Sequence, residues 1–301
     1  MKRIIYLLTV LALILTFSGC TRKEIKDDNQ LNIVTSFYPI FIATSNIIDG
    51  AEDVKLTNLT QTSVGCLHDY QLTTKDMNIL ERADVFVVNG GGMESFIDKA
   101  MKNYPELSII NSSEGIIEQD IDESNSEHNH EHEENSHIWV SISMYIEQVK
   151  NIAESLGKID TKNSEEYIQN AKIYIDKLEV LKQEMHETID DLPNRNIVTF
   201  HEAFEFFAEE FDLNIVAVIE REPGTSPSAG ELAKIIETIK NTNATAIFIE
   251  PQYDAGIANV IAKETKIPVY TLDPIVTGTL GKDSYEKIMR QNLSVLKEAL
   301  K

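Results

Sequence analysis

The sequence predicts an α/β protein of two parallel-sheet, (β/α)4-like lobes joined by one long rigid helix. Three observations predict it. Short β-branched runs alternate with amphipathic stretches; four runs fall before a gap and four after it; and an unbroken helical stripe fills the gap.

Met1 to Cys20 opens with Lys2 and Arg3, continues through an apolar run from Ile4 to Phe17, and ends in Ser18-Gly19-Cys20. This is the pattern of an export signal, and the run is shorter than the ~20 residues that span a bilayer. Small residues leading into Cys20 resemble a lipobox, in which that cysteine is acylated; Phe17 departs from the usual aliphatic residue there. Residues 1–19 therefore read as a lipoprotein signal peptide and 20–30 as a flexible tether. With 49 acidic against 27 basic residues, a net charge of -22 argues against nucleic acid and suits a cation ligand. Cys20 and Cys66 are the sequence's two cysteines. If Cys20 is acylated, Cys66 has no intramolecular partner and the fold rests on its core.

The predicted strands of the first lobe, 31–160, are Leu31 to Ser36, Val54 to Thr60, Asp84 to Asn89 and Leu107 to Asn111, with a helix at Thr73 to Arg82. Glu114 to His137 holds nine acidic residues and no Lys or Arg, so 114–136 reads as a mobile loop too polar to pack. The linking segment, 161–192, has Tyr167, Ala171, Tyr174, Leu178, Leu181, Met185 and Ile189 at steps of four and three, with no Gly or Pro before Pro193. That predicts one helix over Ser164 to Asp191, roughly 40 Å long at 1.5 Å per residue, pinning the lobes rather than hinging them. Its stripe spans only about three to four heptads, too few to favour a coiled-coil partner, and the chain is read as a monomer. The second lobe, 193–301, repeats the pattern with strands Asn196 to Phe200, Ile215 to Ile219, Ala244 to Glu250 and Pro268 to Leu272. Helices are predicted at Glu202 to Phe211, Ser228 to Lys240 and Ile257 to Thr265.

Against this frame, four residues converge. His201 and Asp273 each follow the carboxyl end of a strand, and that edge of an open α/β sheet is where ligands bind. His68 lies in Gly65-Cys66-Leu67-His68-Asp69-Tyr70, again on the carboxyl side of a strand, and His137 opens His137-Ile138-Trp139 just ahead of a helix. Three neutral imidazoles and one carboxylate are a donor set for tetrahedral Zn²⁺, whereas Mg²⁺ and Ca²⁺ call for oxygen. Water and Cys66 compete with Asp273 for the fourth place. A Cys66 thiolate would bind Zn²⁺ tightly, although cysteine more often serves as a small buried hydrophobe. His128, His130 and His132, within the acidic loop, would gather Zn²⁺ beside the cleft. His186, among Glu184, Glu187 and Asp190, reads as solvated. Glu250 and Glu202 are candidates to hold the imidazoles' second nitrogens, although Glu202 more readily serves as a favourable charge at the N-terminal end of its helix.

The chain resembles the cluster A-I solute-binding lipoproteins of zinc and manganese ABC importers, and the resemblance covers nearly the whole mature sequence. It rests on Ser36-Phe37-Tyr38-Pro39, the Gly65 to Tyr70 loop, Ala83 to Gly90 before Met93-Glu94, His137-Ile138-Trp139, His201-Glu202-Ala203-Phe204 with Phe207-Ala208, Pro223 to Ser228, Glu250-Pro251-Gln252 and Leu272-Asp273-Pro274. The resemblance implies a metal held in the cleft between the two lobes, with ligands at His68, His137 and His201 and a carboxylate at Asp273 often completing the site. Manganese-binding relatives commonly place a glutamate where His201 stands, and a His-rich loop belongs to the zinc branch, so Zn²⁺ is the implied cargo. Some zinc members carry a glutamate just before the first histidine; here Leu67 stands there and cannot coordinate. An ABC permease is the implied partner, and the outer face of the cytoplasmic membrane the implied location.

Two other classes stay open: a zinc hydrolase and a surface adhesin. His201-Glu202-Ala203-Phe204-Glu205 approaches the metalloprotease pattern H-E-x-x-H, but its fifth residue is glutamate. No serine elbow or phosphate-binding glycine loop accompanies it, so no enzyme is predicted.

Overall fold

The computed structural model describes residues 29–62, 64–67, 70–116, 135–220 and 227–301. The signal segment with Cys20, the first predicted ligand His68, and the loop histidines His128, His130 and His132 lie outside the described residues.

All eight predicted strands are present: β1 Leu31–Thr35, β2 Val54–Asn58, β3 Val85–Val88, β4 Ser108–Asn111, β5 Asn196–Thr199, β6 Asn214–Val218, β7 Ala246–Ile249 and β8 Val269–Thr271. They form two four-stranded sheets of orders β2-β1-β3-β4 and β6-β5-β7-β8. Every pairing is parallel, with Ile33 opposite Val85 in the first sheet and Ile197 opposite Ala246 in the second. The runs Val85–Val88 and Ala246–Ile249 are buried throughout, because a parallel sheet covered by helices hides both faces of its central strands. In each order the chain reverses direction across the sheet, at β1/β3 and at β5/β7. Such a switch point opens a crevice at the carboxyl edge.

Local chemistry fixes the helix starts. Thr73 caps Thr74–Leu80 and Ser228 caps Ala229–Asn241, each closing a capping box with the acidic residue three positions on, Asp76 or Glu231. Ser141 caps Ile142–Ile159 by accepting the Met144 amide.

The helix Ser164–Ile189 buries the same seven residues that its spacing predicts. It packs on Tyr38–Ile47 and Ile142–Ile159 from the first half and on Ser284–Ala299 from the second. Tyr145 and Tyr285 stack beside it with ring centroids 4.0 Å apart. One apolar core accordingly runs from Ile33 and Val85 through Tyr174 and Leu178 to Phe248 and Leu272. A second cluster, around Val198, Ile247 and Ile261, lies on the outer side of the second sheet. No helix among the described residues is long and apolar enough to cross a membrane.

Two expectations need correction. The segment after His201 is not one α-helix: a 3-10 turn, Glu202–Phe204, precedes the α-helix Glu205–Glu210. Ala203 and Phe204 are drawn into the core there, at 0 % and 1 % exposed, which tightens the first turn. The segment 114–136 is also not too polar to pack throughout, because its end is built into the fold. Ser136 is buried, and its carbonyl accepts the Asn89 side-chain amide at 2.9 Å.

Candidate metal centre

Three loops at the carboxyl edges of the two sheets meet in one cluster: Cys66 after β2, His137 after β4 and His201 after β5. One ligand atom from each lies within 4.8 Å of the others. His137 Nε2 is 3.3 Å from His201 Nε2 and 3.6 Å from Cys66 Sγ. Both histidines are buried and Cys66 is partly so.

Each donor is held by identifiable contacts. Gly65, at φ +84°, turns the chain into Cys66, a conformation that disfavours any residue with a Cβ. Leu67 is fully buried and its amide donates to Met93 Sδ at 3.4 Å, fixing the next step of that loop. Met93 itself lies in a turn held by Glu94, whose carboxylate accepts the Asn89 and Gly90 amides at 2.8 and 3.0 Å. Gly90 has φ +83°, and a Cβ there would stand 1.8 Å from Asn111 Oδ1. This accounts physically for the Asn89-Gly90 and Met93-Glu94 pieces of the sequence: they build the floor under Cys66 and, through Asn89 and Ser136, under His137.

His137 is oriented by Asn135. Asn135 Nδ2 donates to the Glu202 carbonyl at 3.1 Å and to Glu205 Oε2 at 2.7 Å, so Oδ1 must be the atom that faces His137. That oxygen accepts the His137 backbone amide at 3.0 Å and lies 2.8 Å from Nδ1. The proton therefore sits on Nδ1, and Nε2 turns its lone pair to the cluster. The His137 and His201 rings meet edge to face at 5.0 Å, and Trp139 lies 5.3 Å from His137. Trp139 Nε1 donates to the Pro274 carbonyl at 2.6 Å and Tyr285 donates to the Trp139 carbonyl at 2.9 Å, which ties the ligand loop of the first half to the second.

Asp273 follows β8 as expected but stands outside the group of three. Its Oδ1 accepts the Ile275 amide at 2.8 Å, its own amide donates to Asn292, and burial raises its carboxyl above the ordinary value, partly offset by the Ile275 bond. Ile275 holds φ +62°, a strained conformation for a β-branched residue, and the Asp273 bond supports it. Glu250, after β7, is 1 % exposed and is pushed up to about 8, first by burial and then by the Asp273 charge. Its Oε2 accepts from Gln252 at 2.5 Å, while Oε1 has no hydrogen-bond partner among the described residues. Burial, followed by the charges of Glu250 and Glu202, pushes the Cys66 thiol well above its usual range. A pocket in which thiol and carboxyls all resist ionisation is one whose electrostatics a divalent cation would reverse.

The sequence predicts His137, His201 and Asp273 at the carboxyl edges of the sheets, where the structure has them, with Cys66 as a rival to Asp273. Sequence reasoning missed Asn135, hidden in a stretch whose composition reads as solvated. Its one signal was an Asx residue two positions before a histidine. His186 bonds Asp190 at 3.2 Å on the surface.

Two switch-point crevices furnishing one buried donor cluster define a two-lobed α/β protein of the solute-binding class. Residues 33–299 match the family model ZnuA, zinc-uptake complex component A periplasmic, and the chain belongs to that family. It is 31 % identical to the high-affinity zinc uptake system protein ZnuA of Bacillus subtilis, over 98 % of this chain and 97 % of that one. It is 28 % identical to the zinc-binding lipoprotein AdcA of Streptococcus pneumoniae, over 99 % of this chain; it spans 61 % of that relative's length. Among solved structures, the laminin-binding protein Lmb of Streptococcus agalactiae, described as bifunctional with adhesin and metal-transporting activity, is 26 % identical. It superposes with a TM-score of 0.77 over 90 % of this chain and all of that one.

Proposed function

We propose that this chain is the extracytoplasmic component of an ABC importer that captures Zn²⁺ and passes it to the membrane permease, anchored to the outer face of the membrane through lipid on Cys20. The supporting observation is the buried pair of imidazoles. Two nitrogens that each bind Zn²⁺ at 2.0 to 2.1 Å in a tetrahedron lie about 3.3 to 3.4 Å apart, and His137 Nε2 to His201 Nε2 is 3.3 Å. Nitrogen donors favour Zn²⁺ over Mn²⁺. The sequence adds His68 as a third imidazole and nominates Asp273 for the fourth place. His128, His130 and His132 would raise the local concentration of the ion. We read a carrier rather than a hydrolase, because a site filled by four protein ligands leaves no position for an activated water.

The continuous helix Ser164–Ile189 favours handover by movement of the ligand loops over a wide swing of the two halves. Protons compete with the ion for imidazole, so affinity should fall as pH drops below about 6.5. The test strips the protein with chelator and offers Zn²⁺ and Mn²⁺ in competition to wild type and His201→Ala. The expected outcome is preferential retention of Zn²⁺ by wild type and its loss in the variant. Preference for Mn²⁺, or undiminished Zn²⁺ in the variant, refutes the reading. Likeness to the Streptococcus agalactiae protein favours surface adhesion as an additional role. Binding to laminin that survives His201→Ala would establish it as separate from metal capture.

A further inference from the structure

We infer that Cys66 is itself a ligand of the ion, so that the site offers sulfur as well as nitrogen. This assignment rests on the metal-capturing role of the same site and deepens it by naming a donor. The geometry is specific. For Zn–S near 2.3 Å and Zn–N near 2.0 to 2.1 Å, a tetrahedral angle sets sulfur and nitrogen about 3.5 to 3.6 Å apart. Cys66 Sγ lies 3.6 Å from His137 Nε2, and that nitrogen lies 3.3 Å from His201 Nε2. Two edges of the cluster therefore match two edges of one S,N,N-coordinated tetrahedron.

A thiol hydrogen bond to His137 explains the cluster less well. Asn135 holds the His137 proton on Nδ1, leaving Nε2 one in-plane lone pair, yet Cys66 and His201 both converge on that atom. A cation between the three satisfies all of them. A second observation points the same way: Glu250, whose charge acts on Cys66, is almost fully buried with Oε1 unpartnered among the described residues. A buried carboxylate oxygen without a donor is expensive next to neutral neighbours and favourable next to a metal. Asp273, already accepting from Ile275, stands outside the group of three. On binding, the S–H bond breaks as the S–Zn bond forms, and the proton leaves to solvent.

Sulfur changes what the site selects. Mn²⁺ prefers oxygen, whereas thiolate with imidazole is a donor set of Zn²⁺. The deciding measurement is X-ray absorption on the full chain loaded with one equivalent of Zn²⁺. A sulfur shell at about 2.3 Å beside nitrogen at about 2.0 to 2.1 Å is expected. Cys66→Ser should lose that shell and bind Zn²⁺ about tenfold or more weakly, with Mn²⁺ affinity little changed. One bound Zn²⁺ with a purely nitrogen and oxygen shell overturns the ligand assignment and leaves the carrier role standing. No bound Zn²⁺ in wild type overturns both.

Discussion

Replacing Glu250 by glutamine should stabilise the metal-free protein, and by more as the pH rises. The carboxyl lies 1 % exposed behind β7, where burial lifts its pKa from 4.5 to about 8. A carboxyl whose pKa is higher in the folded than in the unfolded chain binds its proton more tightly when folded. Stability is therefore lost as pH climbs from the unfolded value through the folded one, and levels off above it. At about 1.4 kcal/mol per pKa unit, the penalty is about 1 kcal/mol at pH 5, about 3 at pH 7 and about 5 at pH 9. Glutamine removes the titration while keeping the shape. Its amide packs equally well or badly at every pH, so the change in the variant's advantage between pH 5 and pH 9, about 4 kcal/mol, isolates the buried charge. Urea unfolding of chelator-stripped wild type and Glu250→Gln at the three pH values measures it. Curves separated by the same free energy at pH 5 and pH 9 would show that Glu250 titrates as an ordinary carboxyl, and the electrostatic account of the pocket would fall with it.

Asn135→Ala removes the acceptor that fixes the His137 proton on Nδ1, and Zn²⁺ affinity by calorimetry should drop roughly 10- to 100-fold; a change under threefold would mean that Trp139 and His201 orient the ring unaided. Leu178→Ala, in the fully buried stripe of the long helix, should cost about 3 to 5 kcal/mol in urea unfolding. Ile168→Ala, 48 % exposed on the same helix, should stay within about 0.5 kcal/mol and serves as its control.

The framework was legible because parallel sheets and packed helices impose strong periodicities. β3 and β7 read as unbroken apolar runs, and the seven buried residues of Ser164–Ile189 could be taken directly from their spacing. The positions of His201 and Asp273 at the carboxyl edge were legible through topology, since both follow strand ends. What stayed hidden depends on side-chain contacts between segments distant in sequence. The approach of Cys66 to His137 is set by Gly65, by Leu67 on Met93 and by the Glu94 turn, none of which has a period. Asn135 is an amide among acidic residues, and only the partners of its Nδ2 and Oδ1 reveal its work. The 3-10 turn at Glu202–Phe204 follows from burial of Phe204, which local propensity does not encode.

The three donors of the cluster are separated along the chain by 71 and 64 residues. An ion held by all of them is a reversible cross-link that closes two long loops in a protein whose described residues contain a lone free cysteine. By the chain-entropy estimate used for disulfides, each closure removes roughly 4 kcal/mol of freedom from the unfolded chain. Surrendering the cargo would then loosen the carrier as reduction loosens a secreted domain. Empty molecules would be the ones that proteases find first, so zinc supply would set how long each copy survives.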